Sequence, residues 1–186
     1  MLFGQEKVAE YFSTYFAKQF DISATEPDSV GDYSIFIDVQ SADGLSRHAT
    51  LGLKNKSELA EFVKYIQHLK TTYLKWRQVA ITNKVTDFEK IVDYDPVNCI
   101  AGFYTTEWYF DLSVNITAKF KVLNGRYLMA IVSDELSSES NEYVTSDGLV
   151  AIFTSADDFE RLLNSIKEIK VVNYFNAKKK KEDLFK

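Results

Sequence analysis

Several residue types are scarce in this chain, and each shortage excludes a class of protein. The only cysteine among the 186 residues is Cys99, so no internal disulfide can form and a reducing, intracellular setting is expected. Only 7 glycines and 2 prolines are present, which excludes collagen-like and most low-complexity chains. No apolar run approaches the roughly 20 residues of a membrane-spanning helix, and the first residues do not have the pattern of a signal peptide. We therefore expect a soluble cytoplasmic protein, in the host cytoplasm if a phage encodes it.

The usual sequence marks of catalysis and metal binding are also missing. The two histidines, His48 and His68, have no metal-ligand spacing with Cys99. There is no glycine-rich phosphate loop and no nucleophile elbow. Carboxylates between Asp87 and Asp95 could bind a cation, but a solvated strand edge explains them better. We expect a protein that is not an enzyme and that uses no cofactor or metal.

What the chain has in quantity is aromatic and acidic residues. With 46% hydrophobic residues, 14 Phe and 11 Tyr, it can form a globular core and still present rings at its surface. Its net charge of -5 is unlike that of a typical duplex-DNA binder, whose affinity depends on neutralising phosphates. Local basic faces can still bind nucleic acid, and exposed rings can stack on bases.

The longest regular pattern covers residues 108–122. Apolar side chains alternate strictly with polar ones there, which predicts a long, half-buried strand with Trp108 on its buried face. The opposite face would present Tyr109, Lys119 and Lys121 to water. This strand is the predicted spine of the domain.

Shorter patterns surround that strand. Residues 32–40 and 47–54 read as a strand pair, and residues 57–83 as an amphipathic helix capped by Asn55 with Glu58. In the second half, strands ending at 133 and spanning 148–154 flank an acidic polar loop at 134–143. A helix capped by Ser155 and Asp158 then carries apolar residues as far as Ile169.

The two halves of the chain resemble each other. A shift of about 94 positions, rising to about 100 after the longer second loop, superposes similar residues. The first shift places Tyr15, Phe16, Ile22, Ala24, Gly31, Tyr33 and Ile37 on Tyr109, Phe110, Ile116, Ala118, Gly125, Tyr127 and Ile131. The second places Leu59, Phe62, Val63 and Ile66 on Phe159, Leu162, Leu163 and Ile166. This predicts an internal duplication, with chance identity in a Tyr- and Phe-rich chain as the alternative.

The duplication bears on the first residues of the chain, whose pattern is ambiguous. Residues 6–20 fit a helical stripe as well as two short strands. If they correspond to the spine strand, residues 11–24 should be strand. Residues 85–94 then become the first strand of the second half, followed by a turn at Asp95 and Pro96.

The predicted fold class is α+β, an internally duplicated unit of antiparallel strands followed by a helix (ββββα twice). We expect a single domain, 1–175, made of two repeats at about 6–83 and 85–172, and a flexible charged tail at 176–186. The capped strand-to-helix segments at 148–166 and 49–66, with 124–132 and 33–39, carry a resemblance to the Whirly and transcriptional positive cofactor fold.

That resemblance implies an oligomeric protein that binds single-stranded DNA or RNA across exposed sheet faces, such as a phage protein of DNA replication or recombination. The plant members carry a lysine-glycine-lysine-alanine-alanine-leucine motif on a strand. Residues 117–122 keep only two spaced lysines of it. The fold resemblance therefore does not identify the binding residues.

The candidate nucleic-acid-binding residues are aromatic and basic side chains on the predicted polar strand faces. They are Lys18, Phe36, Arg47, Tyr109, Lys119, Lys121 and Arg126. The alternative is that they are ordinary solvent-facing residues of an antiparallel sheet. The alternative function is a non-enzymatic protein-protein interaction module, and the tail is a candidate contact for a protein partner. An acidic sheet face would favour that alternative, and a continuous positive groove would favour nucleic acid.

Overall fold

The computed structural model describes residues 4–44 and 48–185. The described strands are β1 (Gln5–Ser13), β2 (Lys18–Thr25), β3 (Ile35–Ser41), β4 (His48–Leu53), β5 (Asp87–Ile91), β6 (Val97–Tyr104), β7 (Trp108–Leu123), β8 (Arg126–Ser133), β9 (Leu136–Ser138), β10 (Asn141–Ser146) and β11 (Leu149–Phe153). The described helices are α1 (Lys56–Thr82), α2 (Ala156–Ser165) and α3 (Glu168–Asp183). The α+β class predicted from the sequence is confirmed.

Six strands close into an antiparallel barrel. Going round the ring, β3 pairs with β11, then β8, β7, β6 and β4 follow, and β4 pairs with β3 again. Outside this ring β2 pairs with β3, β1 pairs with β2, and β5 pairs with β7. The strands β9 and β10 form a separate hairpin. The sheet therefore has two outermost strands, β1 and β5.

The chain runs through the sheet in two similar passages. In the first, β1, β2, β3 and β4 each pair with the next strand, and α1 follows. In the second, β6, β7, β8 and β11 each pair with the next of these four, and α2 follows. The hairpin of β9 and β10 is inserted between β8 and β11.

The predicted long helix is confirmed as α1, which packs against β4, β6, β7 and β8. Its apolar stripe enters the core through Leu59, Phe62, Tyr65, Ile66, Leu69, Tyr73 and Ala80. The helix begins where the Asn55 side chain accepts a hydrogen bond from the Glu58 backbone N–H, at 2.9 Å. The capping pattern in the sequence therefore marked the true start of the helix.

The second capped helix is shorter than predicted. Ser155 and Asp158 form the expected capping box, but α2 ends at Ser165 and the chain turns at Ile166. Ile169 lies in α3 and is 55% exposed, so its predicted place on the apolar stripe of α2 is wrong. The segment read as the start of a flexible tail continues α3 as far as Asp183.

The ambiguous first segment forms β1 and β2, so the prediction of strand over residues 11–24 is confirmed except at 14–17, which form the turn between the two strands. A ring contact holds the hairpin: Tyr11 stacks on Phe20 with centroids 5.6 Å apart. The Tyr11 hydroxyl donates to the backbone carbonyl of Asp38 on β3, at 3.0 Å. Tertiary pairing has outweighed the local pattern here.

Two strand assignments in the second half need correction. The first of the four strands in the second passage is β6, which was not predicted from the sequence. Residues 85–94, predicted to be that first strand, instead contain β5, which pairs with the outer side of β7. The predicted acidic loop contains the β9–β10 hairpin. Gly102 in β6 and the short length of β9 weaken the alternation on which strand prediction depends.

Candidate nucleic-acid interface

The spine strand β7 has the predicted alternation over only part of its length. From Val114 to Val122 every second side chain is buried. Before that the faces are exchanged, because the pairing with β6 shifts between Cys99 and Ala101 and leaves one extra residue in β7. Leu112 is consequently 46% exposed. Trp108, predicted to be buried, is half-buried on the outer face.

Lys119 and Lys121 point outward as predicted, but both are paired with one carboxylate. Glu89 on the neighbouring β5 lies 2.6 Å from the Lys121 ammonium and 3.7 Å from that of Lys119. The hydrogen bond from Lys121 is the main cause that lowers the pKa of Glu89. Glu89 therefore offsets one of the two lysine charges, and the cluster keeps the positive charge of only one lysine.

Tyr109 does not point into water as the alternation predicted. Its ring packs on the core and stacks with Phe103, with centroids 6.0 Å apart. Its hydroxyl donates to Glu107 Oε1 at 2.9 Å, and this bond raises the pKa of Tyr109. The exchange of faces at the start of β7 accounts for this orientation.

Phe36 lies on the outer face, opposite Ile35 and Ile37, but it is only 6% exposed. Its ring lies over Gly52, the paired residue on β4, where an added Cβ would be 2.8 Å from the ring. Phe110 covers Gly102 of β6 in the same way, at 2.6 Å. Phe36 is therefore not the free stacking platform that its place in the strand suggested.

The surroundings of Phe36 are acidic. Asp38 follows it on the same face, and burial raises the pKa of Asp38 to about 6, with the Asp21 carboxylate on β2 contributing. Lys7 on β1 forms ion pairs with Asp21 at 2.8 Å and with Glu10 at 2.9 Å. This face does not attract phosphate.

Arg126 has a different setting. It is exposed and lines an open groove of about 740 Å³. We call this the Arg126 groove; its walls are the β1–β2 turn, the end of β3, the start of β8 and the outer face of β11, including Thr14, Tyr15, Phe16, Gln40, Arg126, Tyr127, Val150 and Ile152. The Tyr15 ring is 50% exposed. The groove therefore combines an exposed ring with an exposed cation.

Two other cations differ in their relation to this groove. Lys18 begins β2 directly after the turn that carries Tyr15, but its ammonium lies 5.0 Å from the Phe20 ring, and neither of these residues lines the groove. The Arg77 guanidinium of α1 lies 5.8 Å from the Tyr127 ring. Sequence reasoning missed Tyr15, because its strand assignment gave no sign of the turn. The predicted Arg47 lies outside the described residues.

Metal centres and reactive thiols are two other kinds of site that polar side chains can form. Among the described residues no group of three or more His, Cys, Asp or Glu side chains is placed to hold a metal ion. The Cys99 thiol is fully buried and donates to the Val114 carbonyl at 3.5 Å, and burial raises its pKa to about 12. Of the helices in the described segments, none combines the length and hydrophobicity needed to span a membrane.

Comparisons with protein-family models, curated proteins and solved structures give no match to the chain. The Whirly-like interpretation therefore stays a prediction, and its support has to come from the geometry of the chain itself.

Proposed function

We propose that the chain is a duplicated ββββα unit that binds single-stranded nucleic acid through the Arg126 groove. The pairing register supports the duplication. Ile35 on β3 pairs with Leu53 on β4. The shift of about 94 leads from Ile35 to Met129 on β8, and the shift of about 100 leads from Leu53 to Phe153 on β11. Met129 and Phe153 are also paired with each other. A chance likeness of sequence would not require the same residues to be hydrogen-bonded neighbours.

The helices support the same conclusion. Both passages end in a side-chain N-cap, Asn55 for α1 and Ser155 for α2. The equivalent apolar positions are buried in both, namely Leu59, Phe62 and Ile66 in the first and Phe159, Leu162 and Ile166 in the second. We infer that one ancestral unit gave rise to both halves.

The single observation that supports nucleic-acid binding is the half-exposed Tyr15 in the same groove as Arg126. Binding of a single strand needs rings on which bases stack and cations along the phosphates. The groove supplies one of each, with Tyr127 and Phe16 as additional contacts. Lys119 and Lys121 are less suitable because Glu89 already neutralises part of their charge.

Fluorescence anisotropy with a labelled oligothymidine, repeated over a range of salt concentrations, tests this proposal. Tyr15→Ala should weaken binding roughly tenfold, since one stacked base contributes about 1 to 3 kcal/mol. Arg126→Ala should reduce the slope of log affinity against log salt by about 0.7, the value for one phosphate contact.

The double variant Lys119→Ala/Lys121→Ala is the matched control, because it removes two cations from another surface. It should leave the slope unchanged. Absence of salt-sensitive binding at micromolar protein would exclude the proposal, and an unchanged affinity of Tyr15→Ala would exclude the groove. Parallel titration with an RNA oligonucleotide and sedimentation of the free and bound protein test the nucleic-acid type and the expected homo-oligomer.

A protein-interaction module is the second candidate, and the outer edge of β5 favours it. Every residue of β5 is exposed, and β7 is its only partner strand in the described part of the chain. An open strand edge can accept a strand from another protein. This function predicts a discrete partner in a pull-down and no salt-sensitive oligonucleotide binding.

A further inference from the structure

A small cavity on the outer sheet face combines rings with carboxylates, and the proposed nucleic-acid function does not use it. Its volume is about 140 Å³. We call it the Trp108 cavity; its lining includes Phe36, Trp108, Phe110, Asp21, Asp38 and Thr50. It therefore has an aromatic wall and a polar wall.

The aromatic wall is held in place by the strands beneath it. Trp108 stacks on Phe110, with centroids 6.1 Å apart and 19° between their planes. Phe110 covers Gly102, where a Cβ would lie 2.6 Å from its ring, and Phe36 covers Gly52. Because the two glycines have no side chain, the rings can pack directly against the backbone of the sheet, and their flat faces border the cavity.

The polar wall contains a hydroxyl that has no partner. Thr50 is only 6% exposed, and its Oγ1 makes no hydrogen bond within the described residues. It pairs across the strands with Asp38 and is near enough to lower the pKa of that carboxyl, but the two side chains do not have the geometry of a hydrogen bond. A buried hydroxyl without a partner costs free energy unless a ligand or water completes it.

The ammonium group of Lys7 already lies at one end of the polar wall, beside Asp21. Lys7 lines the cavity and pairs with Asp21 and, outside the cavity, with Glu10. Within the described residues Lys7 forms no ion pair with Asp38, so Asp38 borders the rings without a direct cationic partner. The site therefore accepts a cation at one end and leaves the other end open.

We propose that the Trp108 cavity binds a guanidinium group, either as a free small molecule or as an arginine side chain of a partner. A guanidinium is planar, so it can stack on Trp108 or Phe110 while its N–H groups donate to carboxylates. It can also donate to the Thr50 hydroxyl, which a quaternary ammonium cannot do. Its charge is permanent, and it is more weakly hydrated than an ammonium, which favours a partly buried site.

Binding should weaken in acid. Asp38 has a pKa of about 6, set by burial, by the Asp21 carboxylate on β2 and, in the opposite direction, by Thr50 on β4, Lys18 on β2 and Lys7 on β1. Below that pH the Asp38 carboxyl is neutral and attracts a cation less. The free protein should thus bind guanidinium better at pH 7.5 than at pH 5.

The chain contains two tryptophans, which allows a direct test. Titration of the protein with N-acetyl-arginine methylamide, followed by ¹H–¹⁵N NMR, should shift the indole signal of Trp108 at millimolar ligand. The signal of Trp76, on α1, is the internal control and should not move. The corresponding lysine derivative should bind several-fold more weakly because an ammonium does not stack as a planar group.

Four variants separate the proposal from a general charge effect. Asp38→Asn should weaken binding about tenfold, as expected for a hydrogen bond between charged groups, and Thr50→Val about threefold, as expected for an ordinary hydrogen bond. Glu142→Gln, which removes the same charge from the exposed β10, should have no effect. Lys7→Gln should tighten binding because it removes the competing internal cation.

The two sources of guanidinium are distinguished by a further arm with arginine-containing peptides. Tighter binding of a peptide than of the small derivative identifies a protein partner, and equal binding identifies a free ligand; both support the site. No shift of Trp108, or equal effects of Asp38→Asn and Glu142→Gln, would overturn the proposal. The oligothymidine titration does not involve this face, so the two proposals can fail separately.

Discussion

The two outermost strands of the sheet, β1 and β5, are protected very differently. The edge of β1 is covered by helices: Arg161 Nε donates to the Phe12 carbonyl at 3.1 Å, and Ser165 Oγ donates to the Glu10 carbonyl at 2.8 Å. In β5 all five residues are exposed, including Phe88 at 46%. Unpaired strand edges invite pairing with other chains. One end of the sheet is thus closed by its own chain, and the other is available for contacts.

The charges at the two ends mirror each other. At β1 a lysine, Lys7, lies between two carboxylates, Glu10 and Asp21. At β5 a carboxylate, Glu89, lies between Lys119 and Lys121. Exposed ion pairs of this kind contribute little to stability. The difference between the ends therefore comes from helix packing, and variants at the two ends should show it.

The largest expected effect is at Asp158, which ties α2 to the β1–β2 turn. This carboxylate is 3% exposed and accepts hydrogen bonds from Thr14 Oγ1 at 2.6 Å and from the Thr154 backbone N–H at 2.7 Å. Asp158→Ala should lower the free energy of unfolding by about 3 to 4 kcal/mol, because it leaves several partly buried donors and the Arg161 guanidinium without their acceptor. Urea unfolding at pH 7 measures the loss.

Asp157→Ala is the matched control, because Asp157 lies in the same first turn but is exposed. Burial alone would raise the pKa of Asp158, but the hydrogen bonds from Thr14 and Thr154 outweigh it and lower that pKa. The stabilisation should therefore be complete above the ordinary Asp pKa of about 3.9 and disappear as the pH falls further. Equal losses in the two variants would contradict this role.

The next prediction compares one phenylalanine at each end of the sheet. Phe175 of α3 is 7% exposed, and Phe88 of β5 is 46% exposed. Phe175→Ala should cost about 2 to 3 kcal/mol, somewhat below the usual range because a terminal helix can detach locally. Phe88→Ala should cost less than about 1 kcal/mol in the free protein.

Hydrogen exchange provides a second measurement of the same contrast. Backbone amides of β1 should exchange more slowly than those of β5, and Phe175→Ala should accelerate exchange in β1 alone. If β5 proves equally protected in a concentration-dependent way, its edge is covered by another copy of the chain. The difference in protection between the β1 and β5 edges would then exist only in the isolated subunit.

Asp38 on β3 should have a smaller effect of opposite sign. Because its pKa is raised to about 6, the folded state binds a proton more tightly than the unfolded state, and stability falls as the pH rises from about 4 to above 6. Asp38→Asn should therefore stabilise the protein by about 1 to 2 kcal/mol at pH 7.5 and have no such effect at pH 4. Thermal unfolding at both pH values measures this, and equal effects at both would show that Asp38 titrates normally.

The smallest effect on stability is expected for Glu89→Gln. It removes an exposed carboxylate, so the unfolding midpoint should not change measurably. It also frees Lys119 and Lys121, but these lysines lie outside the Arg126 groove, so the salt slope of oligothymidine binding should not become steeper. Lys7→Gln, the counterpart at the other end, should not steepen the slope.

The parts of the fold that could be predicted from sequence are those determined by local interactions. Asn55 and Ser155 marked the starts of α1 and α2, because capping joins residues only three positions apart. The predicted alternation of buried and outward-facing side chains in β7 is observed from Val114 to Val122, where most of the strand pairs regularly with β8. The likeness between the two halves of the sequence also favoured strand over helix for residues 11–24, which contain the end of β1 and most of β2.

The parts that could not be predicted depend on residues far apart in sequence. The exchanged faces at Tyr109 follow from a register shift against β6, and nothing in residues 108–112 records it. The burial of Phe36 depends on Gly52, the residue paired with it on β4. The ion pair of Lys121 depends on Glu89, which precedes it by more than thirty positions in the sequence and is its neighbour across the paired strands β5 and β7. Candidate sites on sheets are therefore decided by the neighbouring strand.

The buried thiol of Cys99 has a practical consequence for all of these experiments. It is the single cysteine of the chain, it is fully buried, and its raised pKa keeps it in the unreactive thiol form at neutral pH. Thiol-specific dyes and spin labels should thus attach only to cysteines introduced elsewhere, for instance at Phe88 or Tyr15. The native sequence already provides a background on which distances between the two ends of the sheet can be measured.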